Sequence, residues 1–243
     1  MTDATLLEQL LELHFPEPPS ILSAGHGAGH MFRGCRYQPT VTLDVRPLAG
    51  IDVHGSWDDL ASLFSERRFQ VVTWDPPHQT DGGTTALGGG WATDYGTAGA
   101  ELRGQPNISF MYAPFLEAAR AVLDPRGTLL AKIADQVHNG VLQLQAFDLV
   151  NELHSSDWHV CAVIPKRRAV VGDDPKWKRR FHVRQAWSYW ICAHPHRRCP
   201  AVGVSLERPK CGGCGEPFTP RRTDQRSCGA DKCRQRVHRK ACT

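Results

Sequence analysis

Val71-Val72-Thr73-Trp74-Asp75-Pro76-Pro77-His78 decides how this chain is read. Four residues that favour extended structure run into an acid, two prolines and a ring. Neither proline has an N–H to give a sheet and both have a fixed φ, so the strand ends and the backbone leaves it stiff and extended. In an open α/β sheet, ligands bind beyond the carboxyl ends of the strands, where this turn would sit. Working outward, apolar strand patterns recur at 21–24, 40–43, 51–54, 69–74, 128–134, 158–164 and 187–193. Helical periodicity covers 1–15, with Leu6, Leu7, Leu10 and Leu13 on one stripe, and then 57–67, 108–123 and 141–153. Residues 123–127 read as helix stop, turn and strand entry. Strands alternating with helices predict an α/β fold whose sheet is mostly parallel and covered on both faces.

The turn carries a chemistry. An amine attached to an aromatic ring is a poor nucleophile because its lone pair is delocalised. Two acceptors in line with its two N–H bonds, the Asp75 carboxylate and the Pro76 carbonyl, would draw the nitrogen towards sp³ geometry and release that pair. Pro77 keeps the turn rigid, and the ring of His78 can stack on a planar base.

Upstream, Ile21-Leu22-Ser23-Ala24 leads into Gly25-His26-Gly27-Ala28-Gly29. Alternate glycines let a backbone turn sharply beneath a ligand and leave as a helix. Asp44 closes the second strand and Gly55-Ser56-Trp57 follows the third. In this order the elements resemble the class I S-adenosylmethionine (SAM)-dependent methyltransferases. The Asp-Pro-Pro-aromatic turn resembles the signature of their DNA amino-methyltransferase branch, of bacterial and phage DNA-modification type. The resemblance spans roughly 18–193 and implies a Rossmann-like seven-stranded sheet with SAM as cofactor. It implies cofactor contacts from Ser23, Gly25, Gly27, Gly29, Asp44, Ser56 and Trp57, with Asp44 on the ribose hydroxyls. Catalysis falls to Asp75, Pro76, Pro77 and His78. The chain departs from the family where serines stand at 23 and 56 in place of the usual acids, which would move those tasks to Asp52, Asp58 or water.

Composition bounds the rest. The chain has 243 residues, 41% hydrophobic and 22% charged, enough for one sizeable core and a small appendage. No run of about 18 apolar residues suggests a membrane span, and the start lacks the pattern of a secretory leader. Formal charge is +4, yet 208–243 holds ten Lys/Arg against three Asp/Glu. Nearly all positive excess therefore sits in a tail, pointing to a polyanionic partner. Two stretches fit no regular element: 79–107, rich in glycine, and the basic 166–184.

Five of nine cysteines crowd that tail. With no secretory pattern a reducing, cytoplasmic setting is expected, where clustered cysteines suggest metal rather than disulfides. Cys211-x2-Cys214-x13-Cys228-x4-Cys233 offers four thiolates to a tetrahedral, structural Zn²⁺. The pattern resembles small bacterial zinc-ribbon or treble-clef-like modules. Arg221, Arg222 and Arg226, with Arg234, Arg236, Arg239 and Lys240 on a following helix, are the expected phosphate contacts. By contrast Cys192, His194, His196 and Cys199, which could make a second site, read rather as a strand end and an exposed turn, and Trp158, Trp187 and Trp190 as core.

The expected organisation is a methyltransferase domain over 1–205 and a basic zinc module over 206–243. The expected activity is SAM-dependent methylation of an exocyclic base amine in DNA, N6 of adenine ahead of N4 of cytosine, on a base flipped from the duplex. RNA is a further candidate partner, a membrane is not, and the sequence leaves the oligomeric state open. Two alternatives stand: methylation of RNA or a protein amide, and a nucleic-acid-binding protein on an inactive methyltransferase scaffold.

Overall fold

A computed structural model describes residues 1–77, 105, 107–138, 141–167, 187–195, 211 and 214. The chain divides into two compact units, Met1–Pro200 and Ala201–Thr243. The first is built on a seven-stranded sheet from β1 (Ile21–Ala24), β2 (Val41–Asp44), β3 (Val53–His54), β4 (Phe69–Trp74), β5 (Leu123–Ala134), β8 (His159–Arg167) and β9 (Trp187–His194). Strand order is β3-β2-β1-β4-β5-β9-β8, and β6 (Gln136–His138) and β7 (Val141–Gln143) form a separate hairpin. The strands from β3 to β5 are all parallel to their neighbours, while β9 runs antiparallel to both β5 and β8. This is the α/β, Rossmann-like seven-stranded sheet that the alternating pattern and the resemblance led us to expect.

Burial explains why the central strands read as unbroken apolar runs. Every residue of β1 and β2 is buried, and in β4 only Gln70 is exposed. Strands covered on both faces lose the inside–outside alternation and become continuously apolar. On one face lie α2 (Leu60–Leu63), α3 (Tyr112–Val122) and α4 (Gln145–Ser155), whose apolar residues form one core cluster with Leu22, Val72 and Trp74. On the other lies α1 (Asp3–His14), which places Leu6, Leu7, Leu10 and Leu11 in a cluster with Ile21, Val71, Leu130 and Trp190. The Thr2 side chain caps α1 by accepting from Thr5 N–H, and Pro16 lies two residues beyond its end.

Several boundaries differ from the sequence reading, each for a physical reason. Residues 141–153 do not form one helix. Val141 and Leu142, exposed at 60% and 48%, belong to the hairpin, and α4 starts only at Gln145. Gln145 fixes that start: buried, it donates from Nε2 to Ala134 O at 2.7 Å and accepts Ile108 N–H at 3.0 Å. The helical pattern at 57–67 condenses to a 3-10 turn (Trp57–Asp59) and the single turn α2, because only Leu60 and Phe64 are buried, with Trp57 packed against the core from its rim. Residues 123–127 are not a separate turn: β5 begins at Leu123, which pairs with Phe69, and the register shifts before the ladder resumes at Thr128 and Val71. Trp158 and Trp190 are core residues, whereas Trp187 is 43% exposed.

Trp74 and Phe115 stack with ring centroids 3.9 Å apart and planes 8° from parallel, joining β4 to α3. Phe115 is fully buried. Phe115→Ala is expected to cost about 3–5 kcal/mol of unfolding free energy. Urea denaturation followed by tryptophan fluorescence measures that loss.

Candidate functional site

A cavity of about 450 Å³ opens at the carboxyl ends of β1, β2 and β4. That is within the range of small-molecule and cofactor pockets. Its walls come from the loop after β1, the end of β2, the start of the turn after β3, the turn after β4, and one residue of β5.

The loop after β1 is held by two backbone hydrogen bonds: Gly25 and His26 both donate N–H to Leu43 O, at 2.9 and 3.0 Å. Gly25 and Gly27 take φ of +72° and +60°, the left-handed region that other residues seldom occupy. At Gly27 space matters as well, since a Cβ would lie 3.3 Å from the Arg46 guanidinium. The expected helix after this loop is only a 3-10 turn, His30–Phe32, which sends Met31 and Phe32 into the core beneath α1.

Asp44, 3% exposed, is the best-satisfied carboxylate of the cavity. Gly27 N–H donates to Oδ2 at 2.7 Å and Arg46 N–H to Oδ1 at 3.0 Å. The Arg46 guanidinium adds a fork, Nε to Oδ1 at 3.0 Å and Nη2 to Oδ2 at 3.3 Å. Burial pushes the carboxyl of Asp44 up, but the hydrogen bonds from Arg46 and Gly27 outweigh it and hold the group below its ordinary value.

The turn after β4 places Asp75, Pro76 and Pro77 on the cavity wall, where a Cβ at Gly25 would lie 3.9 Å from Asp75 O and 4.0 Å from the Trp57 ring. Lys132 of β5 reaches the same wall, because Ala131 is in register with Trp74 and the next residue lies beside Asp75. Its Nζ stands 3.3 Å from Asp75 Oδ2 and 3.4 Å from Asp3 Oδ2. Asp3 in turn pairs with Lys166 Nζ at 2.6 Å and accepts from Trp190 Nε1 at 3.2 Å. A chain of charges thus runs from the start of α1 through β5 to the turn.

Of the residues singled out in the sequence, Gly25, Gly27, Asp44, Trp57, Asp75, Pro76 and Pro77 meet around this cavity. Ser23, Gly29 and Ser56 are not on its wall. The Ser23 hydroxyl bonds His26 Nδ1 at 3.0 Å, and Ser56 caps the 3-10 turn by accepting Asp58 N–H. Asp52 does not stand in for the missing acids either, being spent on Thr42 N–H and Oγ1. His78, Cys228, Cys233 and Arg221, Arg222, Arg226, Arg234, Arg236, Arg239 and Lys240 lie outside the described residues, as do nearly all of 79–107 and 166–184. Cys211 is buried and Cys214 exposed.

Three residues of the site were given no role in it by the sequence reading. Lys132 is a lysine inside an apolar strand, and lysines are almost never buried unpaired, which was the available signal. Asp3 could be found only through the tertiary contact. His26, within the glycine loop but given no role there, lines the cavity. Burial lowers its pKa against the opposing pull of Asp44 and Asp52.

Neither the protein-family models nor the curated proteins give a match to this chain. Among solved structures it is similar to TrmN from Thermus thermophilus, at 13% identity over 79% of this chain and 47% of that one, TM-score 0.47. The chain thus spans about half the length of TrmN. It is similar to Burkholderia thailandensis 1,6-didemethyltoxoflavin-N1-methyltransferase, solved with S-adenosylhomocysteine bound, at 14% identity over 80% and 78% of the two chains, TM-score 0.49. It is also similar to the glycopeptide N-methyltransferase MtfA complexed with S-adenosylhomocysteine, at 11% identity over 80% and 90%, TM-score 0.46. Identities this low speak to fold alone, and with these TM-scores the strand order itself carries the fold assignment.

Asp44→Asn keeps the shape and removes the charge. Because the folded carboxyl is held below its unfolded value of 3.8, its contribution is present above that pH and is lost as pH falls through the folded value. The variant should therefore be less stable than the parent at pH 7, and the gap should close on acidification below pH 3.8. Denaturant titrations at a series of pH values test this.

Proposed function

We propose that this chain is a SAM-dependent methyltransferase that modifies an exocyclic base amine in DNA, N6 of adenine ahead of N4 of cytosine. One observation carries the reading: Asp75-Pro76-Pro77 borders the same cavity as the glycine loop and Asp44. A group that accepts from an amine and a group suited to a nucleoside cofactor therefore face one space.

The cavity suits the cofactor. Gly25 and Gly27 present bare backbone, Trp57 presents an apolar face, and Asp44 is, among the described residues, the one buried carboxylate on the wall. Asp44 would hold the ribose hydroxyls, which must share its oxygens with Arg46. SAM, when bound, supplies an electrophilic methyl group. The chain does the rest: the Asp75 carboxylate and the Pro76 carbonyl accept the two amine N–H bonds, and Lys132 keeps Asp75 aimed along the wall. Pro76 and Pro77 prevent the acceptors from relaxing towards the solvent. Preorganised acceptors of this kind cost no reorientation at the moment of reaction. The basic tail, folded around Zn²⁺ on Cys211, Cys214, Cys228 and Cys233, would add phosphate contacts that strengthen binding without reading sequence.

The engagement of Asp44 by Arg46, together with the absence of an acid at Ser23, favours one rival: a nucleic-acid-binding protein on a scaffold that no longer takes the cofactor. Calorimetric titration with SAM separates the two, since the rival predicts no heat of binding.

Asp75→Ala should abolish methyl transfer to adenine-containing duplexes while leaving the SAM dissociation constant within about twofold, since the lost acceptor acts on the amine. Unchanged turnover would remove the proposal. Replacing Arg234, Arg236 and Arg239 with Gln should weaken DNA binding and flatten the plot of log K against log salt by up to about 0.9 for each lost phosphate contact. Filter-binding at several salt concentrations reads both quantities.

A further inference from the structure

At the opposite end of β9 from the Asp75 turn, four side chains converge that are far apart in the chain. Cys192 and His194 are alternate residues of β9 and so share one face. Cys161 lies in a β-bulge, since Val160 pairs with Ala193 and Ala162 with Cys192. Such a bulge re-aims a side chain, here towards Cys192. His14, the last residue of α1, closes the group from the packed helix. Cys161 Sγ is 2.9 Å from Cys192 Sγ and 3.5 Å from His194 Nε2, and Cys192 Sγ is 3.4 Å from His14 Nε2. Neither cysteine is joined in a disulfide.

We propose that His14, Cys161, Cys192 and His194 form a Cys2His2 site for a structural Zn²⁺, separate from the cysteines of the tail. Two thiolates and two imidazoles are a complete tetrahedral set for zinc. The outer contact of His194 matches as well, whereas the buried His14 Nδ1 has no hydrogen-bond partner among the described residues. His194 Nδ1 lies 3.0 Å from Gly127 O, to which its N–H donates, so Nε2 keeps its lone pair pointed at the sulfurs. A backbone carbonyl on the far nitrogen is the usual partner of a metal-bound histidine. Cys192 and His194 are each 1% exposed, while His14 and Cys161 are half-buried, so the inner half of the site is shielded from water. On binding, each thiol loses its proton to solvent and forms a Zn–S bond, and each Nε2 donates its pair while Nδ1 keeps its proton. Two thiolates cancel the 2+ charge, so a neutral complex is buried. At Zn–S distances of about 2.3 Å, tetrahedral sulfurs stand about 3.8 Å apart. The pair therefore opens by rotation of the cysteine side chains.

The site would clamp the end of α1 to β9 and to the edge strand β8. It stands apart from the cavity, so it has no part in methyl transfer.

The test uses full-length protein carrying Cys211→Ser and Cys214→Ser, which removes the tail pair from the count. This protein should retain one zinc per chain by elemental analysis, and adding Cys192→Ser should abolish it. If Cys192→Ser fails to fold, His14→Cys keeps four ligands and gives a second readout. With cobalt replacing zinc, its sulfur-to-metal charge-transfer band should grow by the share of one added thiolate. Zinc absent from the tail variant, zinc that survives Cys192→Ser, or a Cys161–Cys192 disulfide with no bound metal would each overturn the proposal.

Discussion

A lysine in a strand covered on both faces cannot remain charged without company. Taking an ammonium out of water costs several kcal/mol, and only close counter-charges offset it. Lys132 has two, Asp75 and Asp3, within 3.4 Å. Burial alone would pull the ammonium down, but Asp75 and then Asp3 outweigh it and its pKa is raised. For Asp3, burial pushes up and Lys132 and Lys166 outweigh it, so its pKa is lowered. The Asp3 contribution is thus complete above pH 3.8 and that of Lys132 below 10.5, which covers the whole physiological range. Because Asp3 also holds Lys166 and the Trp190 indole, α1 can dock in only one register, and the Asp75 carboxylate inherits its aim from that docking.

The same helix is pinned at its other end by His14 against Cys192. About 1.5 Å of rise per residue separates the two pins along a 12-residue helix. One end of α1 therefore faces the cavity side of the sheet and the other the cluster of sulfur and imidazole. The leucine stripe between them supplies the hydrophobic stabilisation, and the polar ends supply position.

What could be read from residues alone was whatever is local. The central strands announce themselves because burial on both faces makes them continuously apolar, and the Asp75 turn because two prolines admit few backbones. Asp44 could be placed because a parallel strand ends at a predictable distance from its glycine loop. What could not be read depends on distant pairs. Asp75 and Lys132 are 57 residues apart and His14 and Cys192 are 178 apart, so no spacing rule joins them. Cys192 and His194 looked like a strand end running into an exposed turn, yet both are buried, because α1 covers a face that local pattern left open. The hairpin of β6 and β7 was misread as helix because Val141 and Leu142 keep a helical phase with α4. Only the hydrogen bonds of Gln145 show where the helix begins.

The position of β9 has a consequence for how the protein is made. In the sheet it lies between β5 and β8, although it is the last of the three to leave the ribosome. Until it arrives, β5 has an unpaired edge, and α1 has neither the Trp190 indole nor the Cys192 thiol to rest against. Translation at about 5–20 residues per second puts roughly 9 to 40 s between the emergence of α1 and that of β9. For that interval the nascent chain shows an open strand edge beside a leucine-rich helix that has lost part of its bed.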